Sequence, residues 1–355
     1  MRAAGHPVEL VSAAIETVRL RGRATAKFGP SATRMFFTSS GLEQSTRQRV
    51  ADHRAQRFTA AGATAVTDLC CGIGGDLLAL ARAGIGVHAV DSDPLTVAVA
   101  AANSEVLELA ARVELSCSDV TEFDLAGVRA VFCDPARRSG RRRIFDPASY
   151  SPSWDFLLSL AAKVPFTGVK VAPGIDHALL PSGVEAEWIS DEGEVKEAAL
   201  WFGPLGLVRH RATLLPSGDT LVGSGAELAP TGPVGNWLYD PDGAVVRAHL
   251  IAELAELIGA HGVDPTIAYL TSDELRPTPF ARAYRVEEVL PFSLKRLRTA
   301  LRARRVGRVE IKKRGSALDV EQLRRDLRLS GDQEATVVLT RVAGKPTVLI
   351  CSAHR

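Results

Sequence analysis

From residue 61 to about 215, short apolar runs alternate with stretches whose apolar residues recur at helical spacing, the rhythm of strands separated by helices. The runs at 66–69, 86–91, 113–118, 129–133 and 168–171 are predicted strands, and 77–83 and 154–163 are predicted helices. Elements alternating in this way build a doubly wound α/β sheet. Strand-rich residues 185–189, 198–202 and 208–214 follow, and the last two are expected to pair as a hairpin. Ahead of the sheet, 8–18 and 45–58 carry helical patterns with an extended segment at 35–38 between them, so residues 1–60 read as an N-terminal helical region. Residues 216–280 start Gly-, Pro- and Ser-rich, pass a turn at 238–243 and enter an amphipathic helix over 245–258, a connecting module. From 281 to 355 the order is helix (293–305), strand (308–313), helix (319–329) and two strands (336–342, 347–351). Ser293 and Asp319 are expected N-caps, and Asp319 with Gln322 makes an approximate capping box.

The stretch that organises the chain is Val66-Thr67-Asp68-Leu69-Cys70-Cys71-Gly72-Ile73-Gly74-Gly75-Asp76. A glycine cluster between strand and helix lets the backbone turn sharply and lie directly against a ligand. A dinucleotide loop requires a third glycine at the sixth position, where this chain has Leu77. An acid in the strand (Asp68) and another closing the loop suit a cationic ligand without phosphates, an ammonium or sulfonium group. The next strand ends in Asp91, 19 residues after Gly72, the separation at which such folds bind ribose hydroxyls. Asp93-Pro94 then reads as an N-cap with proline at the first helical position. The third strand ends at Asp119, suited to an adenine amino group, and the fourth at Asp134-Pro135-Ala136-Arg137. Four strands thus carry an acid at the edge where open α/β sheets bind ligands.

These residues resemble the class I S-adenosylmethionine-dependent methyltransferases: 68–75 as the first motif, Asp91 as the ribose acid, Asp119 as the adenine acid and Asp134-Pro135 as the fourth motif. Within that class the chain is most similar to the RNA guanine-N2 methyltransferases of the trimethylguanosine synthase type, and residues 281–355 resemble a THUMP-like domain. The resemblance implies a Rossmann-like doubly wound methyltransferase sheet in the order 3-2-1-4-5-7-6, S-adenosylmethionine as cofactor and RNA as partner. It assigns Asp68, Gly72, Gly74 and Gly75 to the methionine end. In its fourth motif, Asp-Pro-Pro-aromatic, the acid and a carbonyl accept the amine's N–H bonds while the aromatic ring stacks on the base. Asp134 and Pro135 match; Ala136 and Arg137 depart from it. Asp-Pro-Pro-Arg is similar instead to the uracil-C5 enzymes, which need a cysteine nucleophile after the fifth strand. Residues 169–174 contain none, so a base nitrogen is the expected acceptor. Asp134, Pro135 and Arg137 are the catalytic candidates, with Arg137 stacking on the base. The arginines of the loop 137–143 would grip phosphates beside a single-stranded or flipped base.

A chain of 355 residues holds two or more domains. It has no apolar run of membrane-spanning length and no secretory h-region, which predicts a cytoplasmic protein. Five cysteines without zinc spacing read as reduced, mostly core residues, and no metal is expected. Net charge is +2, but residues 19–57 hold nine basic and two acidic side chains and 281–328 hold fifteen and six. Basic flanks around an acidic centre fit a polyanion lying across the flanks and a cation in the middle. Two rivals remain open from sequence: a methyltransferase for a small molecule or protein, and a catalytically silent RNA-binding protein of the same fold.

Overall fold

The computed structural model describes residues 7–137 and 150–353, and the chain divides into two compact units, Met1–Asp191 with Lys196–Arg209, and Glu192–Val195 with His210–Arg355. The first unit opens with helices α1 (Val8–Phe28), α2 (Ser39–Gln44) and α3 (Gln48–Ala60). The doubly wound portion follows: β1 (Ala65–Leu69), α4 (Gly75–Arg82), β2 (Gly86–Asp91), α5 (Pro94–Val106), β3 (Val113–Cys117) and β4 (Ala130–Cys133). A two-residue ladder, β5 (Ala136–Arg137) with β6 (Tyr150–Ser151), precedes α6 (Trp154–Lys163), β7 (Phe166–Val171), β8 (Glu185–Asp191) and β9 (Glu194–Phe202).

These strands lie in the order β3-β2-β1-β4-β7-β9-β8, the order expected from the resemblance. The pairs β1–β2, β2–β3, β1–β4 and β4–β7 are parallel and β9 runs antiparallel to β7. Strand β1 is central and buried from its second residue onward, which is why its run is apolar on both faces apart from Thr67 and Asp68. The chain proceeds from β1 outward to β3 and then returns to β4 on the other side of β1, so the topological switch lies between β1 and β4. Leu20, Phe28, Met35, Leu42, Ala55 and Phe58 belong to the same buried cluster as Val66, Leu77, Ala89 and Phe132.

Three local expectations change. Residues 198–202 pair with β7, while β10 (His210–Leu215) forms its antiparallel hairpin with β11 (Asp219–Gly223), so 198–202 and 208–214 are not hairpin partners. The helix expected over 45–58 starts at Gln48, because Thr46 turns its hydroxyl to the Asp76 carboxylate instead of heading the helix. The helix expected over 245–258 is broken into α7 (Gly243–Arg247) and α8 (Ile251–Ile258). His249 takes a left-handed φ of 59° there, and the Leu250 amide reaches back to the Val245 carbonyl, a Schellman-type stop that apolar spacing along the chain does not reveal.

The second unit is α+β. Its sheet adds β12 (Trp237–Pro241), β13 (His261–Asp264), β14 (Ile267–Ser272), β15 (Ala281–Pro291), β16 (Val306–Lys313), β17 (Gln333–Val342) and β18 (Lys345–Ala353), ordered β13-β14-β12-β15-β18-β17-β16. Helices α9 (Leu294–Ala303) and α10 (Val320–Leu327) bury Leu297, Leu301, Leu323 and Leu327 against Val309, Val337, Leu339 and Ile350. Each such leucine contributes roughly 1.5–3 kcal/mol when fully buried. Ser293 and Asp319 cap these helices through the amides of Arg296 and Gln322, but the Gln322 side chain donates to Asp326, so the reciprocal half of the capping box is missing.

Candidate active site

The carboxyl ends of β1, β2 and β4 bring three predicted acids together. Leu69 is level with Val90 on one side and Cys133 on the other, so Asp91 and Asp134 stand at equal height flanking Cys70. Asp68 sits two residues below, level with Ala89 and Phe132, and is fully buried, whereas Asp119 is exposed beyond the edge strand. Asp119 accepts from the amide and hydroxyl of Thr121 at 2.8 and 2.7 Å, and these bonds hold its carboxyl below the ordinary pKa. A separate cavity of about 740 Å³ opens at the amino ends of the same strands, among Thr64, Gly86, His88 and Arg112, and none of the predicted site residues lines it.

The glycine turn divides into an open half and a packed half. Cys70 and Gly72 have φ of 62° and 56°, the left-handed region that glycine occupies without strain. A Cβ on Gly72 would meet nothing within 4 Å, so the chain there borders free space. Gly74, at φ 100°, is the N-terminal cap of α4, and a Cβ on Gly75 would come within 3.3 Å of the Thr46 amide. Gly75 therefore makes room for the N-terminal segment. That segment is pinned by Asn103, whose side chain bonds the Phe36 amide and the carbonyls of Phe36 and Ile73. Asp91 holds the open half, accepting from the Gly72 amide at 2.9 Å and from the Asp93 amide at 3.1 Å. Leu77, the residue that breaks the dinucleotide pattern, is a core side chain.

Neither oxygen of Asp68 has a hydrogen-bond partner among the described residues. Burial, and then the nearby charges of Asp76 and Asp134, push its carboxyl well above the ordinary range against the opposing pull of Arg54. A buried, unpaired carboxylate costs several kcal/mol and persists in a fold only with a reason.

Around it runs a closed polar ring. Lys170 on β7 donates to Asp134 Oδ2 at 2.7 Å and to Thr46 Oγ1 at 3.1 Å, and lies 3.9 Å from Glu197 Oε2. Thr46 donates to Asp76 Oδ2 at 2.8 Å. Arg54, itself buried, joins Asp76 to Glu197 and lies 4.2 Å over the Phe132 ring. Burial works against the charge on both cations, but Asp76 and Glu197 around Arg54, and Asp134 and Glu197 around Lys170, outweigh it and hold both pKa values above their ordinary levels. Four carboxylates, Asp68, Asp76, Asp134 and Glu197, thus surround two cations. Ionised together they leave two negative charges uncompensated, and a cationic ligand would relieve that.

Arg54, Lys170 and Glu197 are absent from the sequence-derived site, whereas Asp76 is the acid read there as closing the loop. Arg54 left a trace: Val50, Ala51, Ala55 and Phe58 form the buried stripe of α3, and Arg54 is the charged residue on that stripe. Pro135 is buried and Ala136 exposed. Arg137 is placed only by its backbone, paired with Tyr150 in the short ladder, and residues 138–143 of the arginine loop lie outside the described residues.

The N-terminal basic flank is compensated within its own unit. Arg47 and Arg49 pair with Asp191, Arg57 with Glu185 and Glu187, Arg19 with Glu16, Arg23 with Glu43 and Arg34 with Glu108. Lys27 and Arg21 bond carbonyls, and burial lowers the Lys27 pKa to about 8. In the second unit, α9 exposes Lys295, Arg296 and Arg302. Among the cysteines, Cys71, Cys133 and Cys351 are buried, Cys70 is half-buried and Cys117 is exposed, all unbridged. No described helix is long and apolar enough to cross a membrane.

A parallel sheet with acids converging at its switch point, beside a glycine turn and an unpaired buried carboxylate, is the arrangement of a nucleoside-binding α/β enzyme. Residues 63–155 match the family model described as RNA cap guanine-N2 methyltransferase, and 281–353 match the THUMP domain-like model. A Mycobacterium tuberculosis protein named "uncharacterized S-adenosylmethionine-dependent methyltransferase" is 38% identical over 355 residues, covering 96% of this chain and 97% of the relative. A crystal structure from Porphyromonas gingivalis W83 is 21% identical and covers 99% of this chain and 92% of its own, with a TM-score of 0.81, a likeness of fold. The chain belongs to the S-adenosylmethionine-dependent methyltransferases.

Proposed function

We propose that this methyltransferase acts on RNA, at a base nitrogen, and that Asp68, Asp91 and Asp134 are the three acids that organise its site. The observation that carries the reading is the Asp68 carboxylate: buried, without a partner among the described residues, and in the strand that leads directly into the turn whose Gly72 borders free space. A positively charged ligand is the group such an acid lacks. On this reading Asp68 with the Gly72, Gly74 and Gly75 turn holds the methionine end, Asp91 the ribose and Asp119 the adenine.

S-adenosylmethionine, when bound, supplies an electrophilic methyl group on a sulfur that is already positively charged. The residues of this chain then have to align an acceptor, exclude water and manage one proton. Asp134 Oδ1, the oxygen not bonded to Lys170, accepts an N–H of the acceptor and turns its lone pair toward the methyl. The amine held by Asp134 would take the methyl group that the cofactor supplies, leaving a neutral thioether, and would release one proton to solvent. Pro135 fixes the turn that presents Asp134.

RNA is supported by the cap guanine-N2 family match, the THUMP-like match and the exposed Lys295, Arg296 and Arg302 of α9, since such side chains neutralise phosphates without reading sequence. Guanine N2 is the acceptor that the family match favours. The test is transfer of labelled methyl from S-adenosylmethionine to total RNA from a strain lacking the gene, followed by mass spectrometry of the nucleosides. A methylated base nitrogen is expected. Label found only on protein or small molecules would overturn the RNA reading.

A further inference from the structure

The base-nitrogen reading leaves open which edge of the base enters, and the Asp134–Lys170 pair bears on that. Lys170 has three N–H bonds. One goes to Asp134 Oδ2 at 2.7 Å and one to Thr46 Oγ1 at 3.1 Å; Glu197 Oε2, at 3.9 Å, is beyond hydrogen-bond reach, so the third has no acceptor among the described residues. The direction at Thr46 is fixed, because its hydroxyl proton is committed to Asp76 Oδ2 at 2.8 Å. Asp134 Oδ2 is occupied by the ammonium and Oδ1 has no partner among the described residues. Both side chains still reach solvent, Asp134 at 26% and Lys170 at 15% exposure. The pair thus offers one acceptor, Oδ1, and one spare donor, Nζ, side by side.

We propose that Lys170 and Asp134 together select an exocyclic amine flanked by a ring nitrogen bearing a lone pair. Asp134 Oδ1 takes the amine N–H and Lys170 Nζ donates to the ring nitrogen. A carboxylate with both oxygens free would instead take two N–H bonds, the pattern of guanine N1–H and N2–H. Lys170 disfavours that pattern, because it takes one lone pair of Oδ2 and its spare N–H would face the guanine N1–H, donor against donor, and uracil has no amine to offer. The edges that fit are adenine N6/N1, cytosine N4/N3, and guanine N2 approached from N3. Lys170 is a specificity-determining residue in this scheme.

This inference rests on RNA base methylation, and the experiment separates the two failures. Once the methylated nucleoside is known from total RNA of the deletion strain, matched oligonucleotides carry at that position either the parent base or its analogue with the ring nitrogen replaced by CH: 1-deazaadenine, 3-deazacytosine or 3-deazaguanine. Wild-type kcat/KM is expected to fall at least about tenfold on the analogue, the effect of one lost hydrogen bond to a charged group. The same preference is expected in equilibrium binding of the two oligonucleotides to cofactor-free protein. In Lys170→Met the preference should shrink to within about twofold, since no donor remains to distinguish them, with cofactor binding by calorimetry no weaker than in wild type. Equal wild-type rates on both oligonucleotides overturn the inference and leave base methylation standing. A Lys170→Met variant that binds S-adenosylmethionine tenfold more weakly and keeps the preference also overturns it, because Lys170 would then serve the cofactor. Absence of any transfer to RNA overturns the base-methylation reading and this inference together.

Discussion

Asp68 and Glu187 are both carboxylates with no exposed surface in the sheet of the same unit, and they are treated in opposite ways. Glu187 is closed on every side: His53 Nε2 lies 2.8 Å from Oε1, and Arg57 Nη1 and Trp201 Nε1 donate to Oε2 at 3.1 and 2.8 Å. Asp68 has no partner for either oxygen among the described residues and three other acids nearby. Burial is identical, so burial alone does not mark a site. What separates a structural acid from a candidate ligand-binding acid is whether the fold itself completes the hydrogen bonding, and of these two it is Asp68 at which the described residues leave both oxygens to something else.

The difference is sharpest under mutation. Glu187→Gln should destabilise the protein by about 3 kcal/mol, the low end for breaking a buried ion pair because Arg57 and His53 retain some access to water. It should leave cofactor affinity of the folded molecule unchanged. Chemical denaturation and calorimetry check the two halves, and a weakened affinity with unchanged stability would erase the distinction.

Asp68→Asn should do the reverse, with cofactor affinity falling at least about tenfold, or about 1.4 kcal/mol. The stability effect has a defined sign. The folded protein keeps Asp68 protonated at pH values where the unfolded chain has released that proton, so the native state loses stability as pH rises from the ordinary carboxylate range through the raised folded pKa. The D68N variant has no such proton, so its melting temperature should match wild type in acid and exceed it as pH increases. A cation bound beside Asp68 should also expel the proton. Calorimetry in buffers of different ionisation enthalpy should detect proton release on cofactor binding in wild type and none in D68N.

A smaller effect is expected in the second unit, where Asp240 accepts from Lys312 and Arg314 at 3.0 and 2.9 Å and those cations are thereby engaged. Lys295, Arg296 and Arg302 on α9 are the better candidates for phosphate contact. Changing all three to Ala should lower the slope of log affinity for single-stranded RNA against log salt by about 2, at roughly 0.7 per lost contact. An unchanged slope would remove α9 from the RNA-binding surface.

How much of this could be read from the chain depends on how local each feature is. Asp91 and Asp134 were legible because a strand's last residue and the sheet's parallel order set their height without further information. The helix at Trp154–Lys163 was legible because Ser153 caps it and its apolar spacing is unbroken. Lys170 was visible as a lone cation in an apolar strand, but its partners come from residues 46, 134 and 197, and no local pattern specifies which distant strand lies alongside. The nine basic residues of 19–57 illustrate the opposite error: their clustering suggested a polyanion surface, whereas most are engaged by acids and carbonyls far away in sequence. Sequence proximity of like charges reports composition, and only the fold reports compensation.

The smallest expected effect concerns Asp119, the acid that the structure leaves most solvated. Its carboxylate already accepts two bonds from Thr121, so an adenine amine would compete for an oxygen that water also reaches, and a contact there is worth little. Asp119→Ala should weaken cofactor binding by about threefold, within the modest range of a solvent-accessible hydrogen bond, with no measurable change in melting temperature. The sharper comparison uses an S-adenosylmethionine analogue whose purine lacks the 6-amino group. Wild type should bind the parent cofactor more tightly than the analogue, and Asp119→Ala should bind the two alike. If the variant still prefers the parent by the same factor, the amino group is read elsewhere, and the acids at this end of the sheet reduce to the three that flank and underlie Cys70.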